Sequence, residues 1–159
     1  MTNMTNLTFS DRRVQELDGF EVMLDEAKQR VDVVLNRLPL NVIEMTQRDQ
    51  LRPARCQKPV IAANRGYCFG VGFEISLACD FRIASDTCLY ALPEQRLGQI
   101  PGSGGSARLQ KIVGITRAKD IVMRSKRIGA RQALDWGIVT ECIAYSELEK
   151  TTDALMTSF

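Results

Sequence analysis

The sequence predicts an α/β fold for this chain of 159 residues, and three observations support the prediction. Short apolar, β-branched runs such as Val60–Ala63 alternate along the chain with longer segments of helical character. Glycine and proline stand between these segments, where turns need them. Hydrophobic residues make up 45% of the chain and charged residues 25%, an ordinary globular mixture that argues against disorder.

The first part of the chain gives the weaker pattern. Residues 1–18 have no periodicity and are predicted to be a loose arm, followed by a single, incomplete domain over 19–159. Two apolar-rich segments, Phe20–Leu24 and Val31–Leu35, predict the strands of a hairpin. A helix over the same region stays open, because apolar residues there also fall at i, i+4 and i+8. Asn41, with a glutamate three residues later, is expected to cap a short helix.

The remainder predicts short strands that alternate with capped helices. The strands are expected at Val60–Ala63, Phe81–Ala84, Leu89–Ala91 and Ile138–Ile143. The helices are expected at Phe73–Cys79, Gly105–Val113, Ala118–Met123 and Ala130–Trp136, with one more near residue 150. Gly114 and Gly137 are placed to end helices, whereas Thr116 and the pair Ser146 and Glu149 are placed to begin them.

Composition excludes several classes of site. Histidine is absent, so no Ser-His-Asp triad, Cys-His pair or histidine-based metal site can be assembled from this chain. The five cysteines show no C-x-x-C spacing and are expected to be reduced and mostly buried. Nothing near them in the sequence would activate a thiolate, which argues against a catalytic cysteine.

Charge and hydropathy narrow the choice of partners. The net charge of +2 is too small to indicate a nucleic-acid or membrane-surface partner, and the basic residues from Arg108 to Arg127 are expected to be solvated helix faces. No apolar run approaches the roughly 18 residues that a membrane span needs. The polar stretch Met1–Ser10 lacks the apolar core of a signal peptide, so a cytoplasmic location is expected.

We expect the chemistry to lie in the stretch Lys58–Asp80. Its glycines Gly66, Gly70 and Gly72 fall at a strand-to-helix turn, where glycine lets the backbone approach a ligand closely. The first N–H groups of the following helix have no helical acceptor and favour negative charge, including an oxyanion in a transition state. Taken alone, however, a glycine-rich turn is more often plain turn chemistry.

The order of motifs resembles the enoyl-CoA hydratase/isomerase family, the crotonase superfamily. Three segments carry the likeness: KPVIAANRGYCFGVGFE from Lys58, ALPE ending at Glu94, and IPGSGGSARL from Ile100. It runs from about Lys58 to Glu141, with a weaker echo at Val31–Leu51. The resemblance implies a partial ββα spiral, an acyl-CoA thioester substrate, no metal or redox cofactor (coenzyme A is part of the substrate) and a homo-oligomer, either trimer or hexamer.

The same resemblance implies roles for individual residues. Two acids placed by an oxyanion site can orient water and move a proton on an activated acyl chain. Both also have a structural interpretation, since one lies in a first helical turn and the other follows a proline. Valine departs from the glycine that many family members have between the two turn glycines. The implied catalytic residues are Glu74 and Glu94, and the implied oxyanion or substrate-binding residues are Gly70, Val71, Gly72 and Gly102.

Two departures from the family pattern concern activity. An internal deletion is indicated near Arg52–Pro53, where the family's small-Gly-Gly-Asp segment would supply the first oxyanion donor, and the family's C-terminal region is missing. We therefore expect weak or undetectable hydratase activity, poor solubility and function through association. Retention of both acids favours a hydratase over an isomerase, hydrolase or dehalogenase. The alternative is a truncated, inactive paralogue that acts as a binding or oligomer-interaction module.

Overall fold

The computed structural model describes residues 6–9, 12–17, 20–25, 30–35, 53–55 and 58–159. The chain divides into two compact units, Met1–Glu44 and Met45–Phe159. This division lies inside the single domain that we predicted over 19–159, and that domain organisation stays a prediction. The capped helix expected at Asn41 lies outside the described residues.

The first unit contains a four-stranded antiparallel sheet in which neighbours in sequence are neighbours in space. Its strands are β1 (Asn6–Phe9), β2 (Arg12–Leu17), β3 (Phe20–Asp25) and β4 (Arg30–Leu35). The predicted hairpin is confirmed, with Phe20 opposite Leu35, and the helical alternative is wrong. The loose arm predicted for residues 1–18 is also wrong over β1 and β2. These strands are ordered by pairing with their neighbours, and such pairing leaves no local periodicity in the sequence.

The second unit is a mixed α/β structure with two three-stranded sheets, so the predicted α/β class is confirmed. The strands of this unit are β5 (Ile61–Asn64), β6 (Tyr67–Phe69), β7 (Phe81–Ser85), β8 (Leu89–Ala91), β9 (Ile128–Gly129) and β10 (Glu141–Ile143). The first sheet is parallel in the order β10-β7-β5, and in the second sheet β6 runs parallel and β9 antiparallel to the central β8.

Five helices and three 3-10 turns complete the described part of this unit. The helices are α1 (Val71–Ala78), α2 (Gly105–Val113), α3 (Ile115–Met123), α4 (Ala130–Asp135) and α5 (Leu148–Thr157). The 3-10 turns are Pro53–Arg55, Glu94–Leu97 and Tyr145–Glu147. Of the helices described here, none has both the length and the apolar character that crossing a bilayer requires.

Several predicted boundaries are corrected by the structure. Thr116 does not cap α3, which begins one residue earlier after Gly114. The capping box at Ser146 is wrong, because the chain enters α5 directly from a 3-10 turn and no side chain caps the helix. The strand expected from Ile138 begins only at Glu141, since the N–H of Ile138 bonds to the Ala133 carbonyl at 2.8 Å and prolongs the end of α4.

The core of the second unit is one hydrophobic cluster that draws buried residues from α1, α2, α3, α4, β8 and β9. Phe73 of α1 and Tyr90 of β8 are fully buried, and their ring centroids lie 5.0 Å apart. Burial of a side chain of this size stabilises the fold by about 2–3 kcal/mol. Leu109 of α2 and Ile121 of α3 are buried in the same cluster. This packing brings the beginning of α1 close to the beginning of α2, where the candidate site lies.

Candidate active site

The turn that enters α1 requires glycine at Gly70 for two separate reasons. Its φ of +53° lies in the left-handed region that side chains disfavour. A Cβ at this position would also lie 3.1 Å from Oε1 of Glu94. The turn is held by the Gly70 N–H, which donates to the Ala91 carbonyl at 2.9 Å, and by the Gly70 carbonyl, which accepts from Glu74 N–H at 3.0 Å. Gly70 therefore allows Glu94 to approach the start of α1.

Val71 is the first residue of α1, followed by Gly72. Among the described residues a positive φ occurs only at glycines and at Ser125, so Val71 has the negative φ that an ordinary helix start needs. The N–H groups of a first helical turn have no acceptor within the helix and carry the positive end of its dipole. The start of α1 thus offers backbone donors next to the two acids.

Glu74 is held by the loop that precedes α2. The side chain is 3% exposed, and its Oε1 accepts hydrogen bonds from the backbone N–H groups of Ser103 and Gly105, each at 2.9 Å. Gly104, the residue before α2, makes no side-chain cap, so this carboxylate supplies the acceptor that the helix start lacks. A Cβ at Gly105 would lie 2.6 Å from Cγ of Glu74, which explains why a glycine stands there.

Glu94 begins the 3-10 turn Glu94–Leu97 and has a different environment. Both carboxyl oxygens are buried, and among the described residues they find no hydrogen-bond partner beyond the glutamate's own backbone N–H. Burial raises the pKa of Glu94, the residue's own backbone N–H opposes that effect, and the nearby charge of Glu74 raises the pKa further. The two acids are thus neighbours in unlike surroundings.

The loop Pro101–Gly105 binds Glu74 through two of its backbone N–H groups. Gly102 is exposed and directly precedes Ser103, one of the two donors. The expectation for Arg108 is corrected: it is half-buried rather than part of a solvated face, and its Nη1 donates to the Ser103 carbonyl at 2.9 Å. The motif contained these residues, but only the fold shows what they bind.

Other chemistry is not assembled in the described part of the chain. No group of three or more metal-ligating side chains forms there. The four described cysteines are free, as predicted, and Cys56 lies outside the described residues. Burial raises the pKa of Cys79 and of Cys88 to about 11, so neither forms a thiolate near neutral pH. Asp80 has a structural role, since its Oδ2 accepts from Val60 N–H at 2.9 Å.

A family model described as enoyl-CoA hydratase/isomerase matches residues 41–159. Carnitinyl-CoA dehydratase from Shigella flexneri is 50% identical over 91 residues, which are 57% of this chain and 35% of that protein. The protein of the same name from Salmonella typhi is 45% identical over 98 residues, which are 62% of this chain and 38% of that protein. The chain therefore matches little more than a third of the length of these relatives.

Solved structures of the same family confirm the crotonase-like fold. An enoyl-CoA hydratase from Bacillus anthracis superposes with a TM-score of 0.69 at 36% identity, over 70% of this chain and 43% of that one. A putative enoyl-CoA hydratase from Thermobifida fusca, in complex with acetoacetyl-CoA, gives a TM-score of 0.65 at 34% identity, over 70% of this chain and 44% of that one.

Proposed function

The chain belongs to the enoyl-CoA hydratase/isomerase family, and on that premise we propose that it adds water to, or removes water from, an acyl-CoA thioester. The observation that carries the proposal is the juxtaposition of Glu74 and Glu94 at the glycine turn, one carboxyl hydrogen-bonded and the other unpartnered. The names of the similar proteins, hydratases and dehydratases of CoA thioesters, favour this reaction over others on the same fold. The cytoplasmic location expected from the polar N-terminus and the homo-oligomeric state implied by the resemblance stay predictions.

The start of α1 is proposed to hold the reacting end of the substrate. In an α,β-unsaturated thioester the carbonyl oxygen gains negative charge as water adds to the β-carbon, because the α-carbon becomes part of an enolate. A backbone N–H placed against that oxygen stabilises the charge where it develops. Val71 N–H fits this role, since the helix leaves it without an internal acceptor. A solved relative in complex with acetoacetyl-CoA supports a thioester as the class of ligand.

The unlike surroundings of the two acids suggest their separate roles. Two backbone N–H donors hold the Glu74 carboxyl in a fixed position, and we assign to it the role of base. The raised pKa of Glu94 favours a carboxylic acid that can give a proton. In hydration, Glu74 takes a proton from water as the water oxygen bonds to the β-carbon, and Glu94 gives a proton to the α-carbon. Dehydration reverses both transfers. After each hydration Glu74 releases its proton to solvent and Glu94 takes one up from solvent.

No metal or redox cofactor is included in this proposal. Addition of water causes no net oxidation or reduction of the acyl chain. The two carboxyls account for the proton taken from water and for the proton given to the α-carbon. Coenzyme A enters as part of the thioester substrate. Because the reaction needs only positioned acids and an oxyanion donor, the residues around α1 carry the whole of the proposed chemistry.

A second candidate is a binding or oligomer-interaction module without activity. The observation in its favour is the sequence before Lys58, which contains no small-Gly-Gly-Asp segment to provide a second oxyanion donor. Loss of one donor typically lowers the rate by about 10²–10³. Under this candidate the protein still binds an acyl-CoA thioester at the start of α1 but turns it over slowly or not at all.

The test measures hydration of a short unsaturated acyl-CoA by the purified protein, followed as loss of the conjugated double bond. We expect Glu74→Gln and Glu94→Gln each to lower the rate by about 10²–10⁴, because each removes a proton-transferring group. Glu149→Gln, an exposed acid in the first turn of α5, is the matched control and should leave the rate unchanged.

Four outcomes of this test are informative. Turnover that depends on both glutamates supports the hydratase. Acyl-CoA binding without turnover supports the binding module. Wild-type rates in the Gln variants would remove the two acids from the mechanism, and a wild-type rate of about 1–10³ per second would show that one oxyanion donor is enough.

A further inference from the structure

Arg108 lies in the first turn of α2, where a cation opposes the helix dipole and is not favoured for helix stability. Its side chain nevertheless turns back from the helix, and Nη1 donates to the Ser103 carbonyl at 2.9 Å. The guanidinium is half-buried in this position. The helix therefore does not explain the position of Arg108, and the explanation must lie in the loop that it contacts.

That loop contains both hydrogen-bond donors to Glu74. The N–H groups of Ser103 and Gly105 converge on the one oxygen Oε1, and the peptide unit between them joins the Ser103 carbonyl to the Gly104 N–H. Arg108 binds the oxygen of this middle peptide. The guanidinium therefore holds the part of the backbone on which the directions of both donors depend.

Gly104 allows the Ser103–Gly104 peptide plane to rotate easily. Its φ is +82°, in the left-handed region, and glycine occupies that region and its mirror image about equally well. A charge-assisted hydrogen bond to the Ser103 carbonyl favours one of the two orientations. A Cβ at Gly104 would lie 2.7 Å from Nη1 of Arg108, so the close approach of the guanidinium also needs glycine.

We propose that Arg108 is a positioning residue for Glu74: it fixes the Ser103–Gly104 peptide so that two N–H groups stay directed at a single carboxylate oxygen. Arg108 acts through the loop and takes no part in proton transfer. The proposal rests on the proposed function for the importance of Glu74 in catalysis, whereas the arrangement of the loop can be measured without any substrate.

The first measurement is amide hydrogen exchange of Ser103 and Gly105 by NMR in the full chain. In Arg108→Met we expect exchange at both amides to be at least about tenfold faster, relative to buried helix amides elsewhere, because the loop opens more often. Lys111→Met is the matched control: it removes one positive charge from an exposed position on the same helix and should change neither amide.

The second variant, Arg108→Lys, keeps the charge but loses the planar guanidinium, and exchange should be intermediate. If the methionine variant does not fold, the lysine variant decides: faster exchange at the two amides supports the proposal, and unchanged exchange overturns it. Unchanged exchange in a folded Arg108→Met protein overturns it equally.

Kinetics separate this proposal from the proposed function. If the protein hydrates acyl-CoA, Arg108→Met should lower kcat by about 10–10² with little change in KM, as expected when a catalytic group is misplaced. Faster amide exchange with unchanged kcat would support the positioning role of Arg108 and count against Glu74 as the base.

Discussion

Glu74 and Glu94 are chemically identical and stand at the same turn, yet the protein treats them in opposite ways. Glu74 is 3% exposed and accepts two backbone hydrogen bonds, whereas Glu94 is half-buried and its carboxyl oxygens have no partner outside their own residue among the described part of the chain. For Glu94, burial favours the carboxylic acid, and the nearby charge of Glu74 adds to that effect. The comparison shows that one turn can give two identical side chains different hydrogen-bonding environments.

Among changes that keep both acids, the largest effect is expected from adding one methyl group next to either acid. Gly105→Ala places a Cβ 2.6 Å from Cγ of Glu74, and Gly70→Ala places one 3.1 Å from Oε1 of Glu94 at a left-handed residue. Each should lower hydration by about 10² or more, since a displacement of about 1 Å at a catalytic group has that effect. Gly129→Ala, where a Cβ meets nothing within 4 Å, is the control for the assay. Equal activity in all three would show that neither acid depends on its glycine.

An intermediate effect, opposite in sign for the two acids, is expected on stability. Glu74→Met leaves the Ser103 and Gly105 N–H groups buried without their acceptor, which costs about 1–3 kcal/mol for each group. Glu94→Met removes a buried carboxyl that has no partner, so it should be neutral or stabilising. Urea unfolding followed by fluorescence of the one tryptophan, Trp136, measures both changes.

In the same experiment Glu74→Gln serves as the control, because its amide oxygen can still accept both bonds and the loss should be smaller. Destabilisation of similar size by Glu94→Met and Glu74→Met would contradict the contrast between the two environments.

The smallest effect is a pH dependence of stability due to Glu94. Its pKa is raised in the folded state, mainly by burial, so between the unfolded and folded pKa values the native protein binds more protons than the unfolded chain. The contribution of Glu94 to stability is therefore fully present below the ordinary carboxyl pKa of about 4.3 and is lost as the pH rises through the folded pKa. Comparison with Glu94→Gln in unfolding curves across this range isolates the contribution. Wild-type stability that rises with pH relative to Glu94→Gln would mean that the pKa of Glu94 is lowered instead.

Much of the second unit could be predicted from sequence, because its elements are bounded by local signals. Gly114 and Gly137 mark helix ends, with φ of +80° and +72°, and apolar runs such as that of β7 mark the strands. The first unit is the contrast. Strands β1 and β2 depend on pairing with a neighbour, and residues 1–18 carry no pattern that reveals the pairing.

The candidate site was predicted only in part, because local signals place a residue in the sequence but do not show what it contacts. The motif placed Glu74 after its glycine turn, and the fold confirms that position at the start of α1. The partners of Glu74 were not predictable, because Ser103 and Gly105 are 29 and 31 residues away and contact it only through packing of α1 on α2. Arg108 was assigned to a solvated surface because a charge pattern does not show which way a side chain turns.

The two hydrogen bonds to Glu74 meet on Oε1, and neither falls on Oε2. Oε1 therefore connects α1 to the loop before α2, and Oε2 takes no part in those two bonds. Such a side chain has a required length as well as a required charge. Aspartate is shorter by one methylene, so from the same position on α1 its carboxyl would fall short of the Ser103 and Gly105 N–H groups.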